Sequence, residues 1–206
     1  MYLPSGQKAA RTMLKYYGLT FLPWIILAVV SGFNAQAGAA AGLVAAVVLL
    51  AADLRRGRRW DGLVLEISTT IFLAGFTGLV LAAPHAAIVH YGASLSIGWL
   101  ALTAWVSIAV GVPFTEGIGR RQVSEEIART ELFHRIAVVL TSVWAAAFTV
   151  SATCLGIVQH FAPHQTGLLI LVKVACFLVP AWFTRWYPEV AQKRYFEEHD
   201  IEQPIA

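Results

Sequence analysis

Charge is scarce in this chain, and where it is missing says more than how little there is. Of 206 residues, 13% are Asp, Glu, Lys or Arg and 58% are hydrophobic, whereas about a quarter of the residues of an ordinary soluble domain are charged. No charged residue lies between Lys15 and Asp53 or between Glu66 and Glu116, and Lys173 stands alone between Arg135 and Arg185. Cysteine is almost absent: Cys154 and Cys176 read as small apolar residues at different depths, and not as a disulfide framework. The chain also has no nucleophile elbow, phosphate-binding loop, dinucleotide fingerprint, paired-acid motif or His-Glu-x-x-His helix. These gaps disfavour the common enzyme classes, because each of those chemistries needs its residues at a fixed spacing.

What is present is long apolar runs separated by compact charged segments. A membrane-spanning helix takes about 17 to 25 residues, so each charge-free gap holds two crossings and a turn. The expected fold is therefore all-α: a single polytopic membrane domain over residues 1–206, with six transmembrane helices in three hairpins. The spans fall at Tyr17 to Phe33, Gly38 to Ala52, Leu63 to Ala83, Ala93 to Val112, Phe133 to Val158 and Gly167 to Trp186. The second is short for a full crossing, which makes the first hairpin look thin or tilted. Ala35-Gln36-Ala37 imitates a signal-peptidase site, but the very short link to the next apolar run favours an uncleaved first span.

The segment Asp53 to Glu66 holds four arginines, Arg55, Arg56, Arg58 and Arg59, and three acids. Each Arg or Asp at mid-membrane costs at least ~2.5 kcal/mol, so this cluster belongs in water. Fourteen of the 15 lysines and arginines lie in segments on that same side, Lys173 being the exception. The positive-inside rule then places both termini in the cytoplasm. A formal net charge of +3 describes a surface drawn to anionic inner-leaflet lipid, without any need for nucleic acid.

Several features have a local reading. Tyr16, Tyr17 and Trp24 read as aromatics at the membrane interface. Gly38 and Gly42 sit four apart in a run of alanines, a pattern for close helix packing inside the bundle or, alternatively, self-association. Gly75 and Gly78 read as packing residues too. Thr103 and Ser107 read as bonding their own helix carbonyls. Pro113 ends a helix. Ser124 reads as the cap of a short surface helix running into the fifth span, with Glu125–Arg129 and Glu131–Arg135 as i,i+4 pairs.

Candidate functional residues are few. Glu66, with Ser68 and Thr70, forms a polar group one turn inside the third span; Glu66 either reaches back to the basic loop or serves an ion path. A lipid-modifying enzyme acting through this group is left open. Lys173, the only cation within a span, either snorkels outward, bonds an acceptor such as Asn34 or Gln36, or lines a transport path. His85, His90, His160 and His164 lie in the two uncharged outer loops and offer imidazoles to zinc or copper, without a recognised ligand spacing. Haem is disfavoured, since no histidine lies deep in a span.

Leu65-Glu66-Ile67-Ser68-Thr69, Gly111-Val112-Pro113-Phe114-Thr115, and Arg135 leading to Val143-Trp144-Ala145-Ala146-Ala147-Phe148 together resemble the intracellular septation protein A family of bacterial inner-membrane proteins, over residues 20–160. The resemblance implies a non-enzymatic, scaffold-like role in the cell envelope through contacts with other membrane proteins or with itself. It supplies no catalytic motif. The alternatives are a small transporter or channel using Lys173 and Glu66, and, more weakly, metal binding by the outer histidines.

Overall fold

The structure is a computed structural model that describes residues 6–162 and 165–198, the side chains of 6–17, 61 and 166 excepted. The described residues form helices and no strand. In chain order these are α1 (Gly6–Val30), α2 (Ala35–Arg55), a 3-10 turn (Trp60–Gly62), α3 (Val64–Ala82), α4 (Ala87–His90), α5 (Gly92–Ala109), α6 (Phe114–Gly119), α7 (Glu125–Ala128), α8 (Glu131–Phe161) and α9 (Thr166–Glu198). Five of them, α2, α3, α5, α8 and α9, are long and apolar enough to cross a membrane. The apolar described part of α1 is the shorter stretch Gly18–Val30.

The helix ends follow from local chemistry. Asn34, in extended conformation, accepts a hydrogen bond from the Ala37 amide at 2.8 Å and caps α2. With that cap α2 runs 21 residues, roughly 31 Å at 1.5 Å per residue, longer than the second span expected from the sequence. At the end of α5 the chain turns through Gly111 at φ +73, a left-handed conformation that glycine adopts without strain, before Pro113 enters α6. Ser124 caps only the four-residue α7, and Thr130 then caps α8 by accepting from the Phe133 amide at 3.3 Å. The surface helix and the fifth span are thus two separately capped elements, not one continuous helix.

Consecutive long helices are neighbours: α1 with α2, α2 with α3, α3 with α5, α5 with α8, and α8 with α9, as short connections dictate. Two aromatic stacks tie α1 to the rest. Phe21 lies 5.3 Å from Trp144 of α8 and 5.3 Å from Phe177 of α9, which brings the two ends of this succession together. One turn on, Trp24 stacks on Phe72 of α3 at 5.2 Å and donates its indole N–H to Thr69 at 3.0 Å. Trp24 is buried, so the interfacial role expected of it is incorrect: a neighbouring hydroxyl, not headgroup water, satisfies the ring nitrogen. Tyr16 and Tyr17 lie outside the described side chains.

The small residues act as expected in α2 and not in α3. A Cβ on Gly38 would fall 2.2 Å from Ser31 Oγ, and one on Gly42 3.2 Å from the Pro23 carbonyl oxygen, so this face is spent on close packing between α1 and α2. Gly75 and Gly78 meet nothing within 4 Å. Reading them as packing residues is therefore wrong; they lie on the exposed face of α3.

Candidate functional site

Alternating helix directions bring the C-terminal end of α2, the start of α3, α6 and the start of α8 to one end of the bundle, and the charged segments meet there. Asp53, on the last turn of α2, is buried at 7% exposure, and Glu66, on the first turn of α3, at 9%. Arg121, just after α6, donates through Nη2 to Glu66 Oε1 and lies 3.4 Å from Asp53 Oδ2. Arg58 donates to the same Asp53 oxygen at 3.1 Å, and Arg56 reaches Oδ1 at 3.5 Å. Burial lowers the pKa of the Arg58 guanidinium, the nearby Arg121 charge lowers it further, and Asp53 opposes both. Arg55 is exposed, and Arg59 lies on the exposed side of the same loop.

A second knot lies beside the first. Glu116 of α6, buried at 6% exposure, accepts from Arg120 at 2.5 Å and pairs with His134 Nδ1 of α8 at 2.7 Å. α6 itself sits hard against the 3-10 turn, where a Cβ on Gly117 would fall 2.7 Å from the Gly62 carbonyl oxygen. Thr115 completes the attachment, donating to the Ala137 carbonyl at 2.9 Å and meeting Thr141 at 2.8 Å. Each of the three buried acids thereby has an arginine partner, Arg121 reaching Asp53 and Glu66 from another segment and Arg120 reaching Glu116 from the next turn, which is what burying a charge requires.

Between α1, α2, α3 and Arg121 the first knot borders a cavity of about 60 Å³, well below the roughly 300–1,000 Å³ of ordinary small-molecule sites. Its lining combines apolar residues (Leu19, Pro23, Ala46, Leu49) with charged ones (Asp53, Arg56, Arg58, Glu66, Arg121) and the hydroxyl residues Thr20 and Thr69. Two buried polar atoms on this lining, Thr20 Oγ1 and Arg121 Nε, have no hydrogen-bond partner among the described residues.

Of the candidate residues, Glu66 lines this cavity together with Arg56 and Arg58 of the basic cluster. The sequence left Glu66 either reaching to the basic loop or serving an ion path; its direct partner is Arg121, from the segment after α6. Ser68 is engaged elsewhere, 2.6 Å from Thr103 and accepting from Trp99 at 2.9 Å, and Thr70 donates to the Glu66 carbonyl at 2.8 Å. Thr103 also bonds its own helix at the Trp99 carbonyl, and Ser107 does so at Ala104. Lys173 is half-buried on α9 and does not line the cavity. Of the two proposed acceptors, Asn34 accepts from the Ala37 amide as the α2 cap, and Gln36 is exposed.

The opposite end of the bundle carries a network without Asp, Glu, Lys or Arg. Gln159 of α8 donates to the His90 carbonyl at 2.7 Å and accepts from the Ser94 amide at 3.2 Å. His90 Nε2 lies 3.1 Å from the Gln159 carbonyl oxygen, and His160 Nδ1 lies 3.0 Å from the Tyr91 hydroxyl. Two of the four outer histidines therefore do approach each other through one junction, while His85 is exposed and His164 lies outside the described residues. Among the described residues no group of three or more His, Cys, Asp or Glu is placed to hold a metal ion, and both cysteines are free.

Sequence reasoning missed Arg121 and Thr20. Arg121 was visible only as one more inner-side arginine, while Thr20, three residues before Pro23 in an apolar run, was a signal left unused. No family model matches this chain, and neither does a curated protein or a solved structure.

Proposed function

We propose that this chain is a six-span protein of the bacterial cytoplasmic membrane, with both termini and the arginine knots on the inner side, and that it acts without catalysis through contacts with other membrane proteins of the cell envelope. The observation that supports this is the mounting of the segment from Phe114 to Arg135. Its inner edge is fastened to the bundle by Arg121, on Asp53 and Glu66, and by Thr115, on the Ala137 carbonyl. Its outer edge presents Glu125, Glu126, Arg129, Glu131 and Arg135 to solvent, with exposed pairs at 3.0 Å and 2.7 Å. Surface pairs of this sort contribute only ~0–1 kcal/mol to stability. A rigidly held charged platform fits partner recognition better than it fits holding the fold together. The sixth crossing is assigned to α1, whose apolar part between Gly18 and Val30 packs on α2, α3, α8 and α9 through Gly42, Trp24 and Phe21. The likeness to the septation protein A family points in the same direction.

The test is photo-crosslinking in cells from a benzophenone amino acid placed at Glu126 and at Glu131. Discrete adducts with an envelope protein are expected at both. No adduct at either position, together with normal envelope growth after deletion, sinks the reading. A second reading, a small transporter or channel, is favoured by one observation: Glu66 and the unpartnered Thr20 hydroxyl border the same cavity. It predicts ion flux in liposomes that drops with Glu66→Gln; the absence of flux in the wild-type protein removes it.

A further inference from the structure

The cavity between α1, α2 and α3 is lined by unlike residues, and its unsatisfied groups indicate what would fill it. Arg56, Arg58 and Arg121 against Asp53 and Glu66 leave the lining with a surplus of one positive charge. Each guanidinium carries about five N–H donors, and the two carboxylates take only one or two from each. The Arg121 side chain is 10% exposed and its Nε–H has no partner; Thr20 is 5% exposed and its hydroxyl has none. An unpaired donor buried on a guanidinium calls for an acceptor, and leaving it without one costs about 1–3 kcal/mol. Thr69 adds a further hydroxyl on the α3 side, and Leu19, Pro23, Ala46 and Leu49 of α1 and α2 supply the apolar part of the lining.

We propose that this cavity binds a phosphate group, carried by an anionic phospholipid whose acyl chains stay outside it. Guanidinium and hydroxyl donors match phosphate oxygens. The small volume fits a headgroup phosphate with the remainder of the molecule outside, and basic pockets between membrane helices at the headgroup level are where acidic lipids are held. The site depends on the chain being embedded in a membrane and not on the partner reading above, so either can fail alone.

The test uses the full chain in dodecyl maltoside, following thermal unfolding by tryptophan fluorescence during titration with phosphatidylglycerol, phosphatidylcholine or soluble glycerol phosphate. Phosphatidylglycerol should raise the melting temperature by several degrees, and phosphatidylcholine should leave it unmoved. Thr20→Val and Arg121→Lys should each weaken the response about tenfold, the worth of one charge-assisted hydrogen bond. Thr20→Val removes only a hydroxyl, so it carries the test if Arg121→Lys does not fold. A shift of equal size with glycerol phosphate upholds the phosphate site and makes a free ester its source. An unchanged phosphatidylglycerol response in Thr20→Val, or no response in the wild-type protein, overturns the proposal, the first by showing diffuse attraction to the exposed arginines and the second by leaving the cavity to water.

Discussion

Arg121 serves two buried acids, pairing with Glu66 and sharing Asp53 with Arg58. Breaking a buried pair by deleting one partner costs more than the pair contributes, because the remaining charge is stranded. Arg121→Ala should therefore destabilise the protein by about 3–5 kcal/mol, measured as lost thermal stability in detergent. An Arg129→Ala control, at a pair exposed by 80% and 88%, should change little. Equal effects in the two variants would mean that the knot is no more than surface decoration. Trp24 offers a finer probe. Trp24→Phe keeps the stacked ring against Phe72 and removes only the N–H that reaches Thr69, so a loss of about 1 kcal/mol is expected. Calorimetry that found several times this loss would show that ring packing, not the hydrogen bond, had been disturbed.

Among elements, α1 is the wedge: Phe21 and Trp24, three residues apart, join separate aromatic stacks, while Pro23 and Leu27 receive the flat face of α2 at Gly42. Close approach of this sort tolerates no added bulk, since the atom opposite Gly38 includes backbone that cannot swing aside. Gly38→Ala should cost about 1–3 kcal/mol through overpacking, whereas Gly75→Ala, meeting nothing within 4 Å, should be neutral or stabilising by up to ~1 kcal/mol. Thermal midpoints in one detergent compare them directly. The two pairs of small residues look alike in the sequence, and neither pair announces its facing. Spacing reports that two residues share a helix face; it does not report which way that face turns.

For the whole molecule, the charged knots at one end and the His90, Gln159, Tyr91 and His160 network at the other give the bundle two chemically distinct poles. If the arginine pole is cytoplasmic, an impermeant maleimide added to intact cells should label Ile88→Cys and leave Glu126→Cys untouched until the membrane is opened. Both positions are exposed, so the contrast measures sidedness and not burial, and the reverse pattern would invert the molecule. Class and segmentation were legible in the chain alone, because a charge cannot be left in hydrocarbon: the charge-free gaps mark the long helices, and the arginine loop marks an end of the bundle. The break at Pro113, the cap at Ser124 and the i,i+4 pairs around Arg129 and Arg135 are likewise local and could be read directly. Which acid meets which arginine could not. Glu66 and Arg121 are 55 positions apart, and their meeting depends on the rotation of α3 about its axis and on the seating of α6 against the 3-10 turn. Those are settled only when all the helices pack at once, so the tertiary structure alone decided that Glu66 faces Arg121, that Lys173 stays clear of the cavity, and that Thr20 lies on its lining.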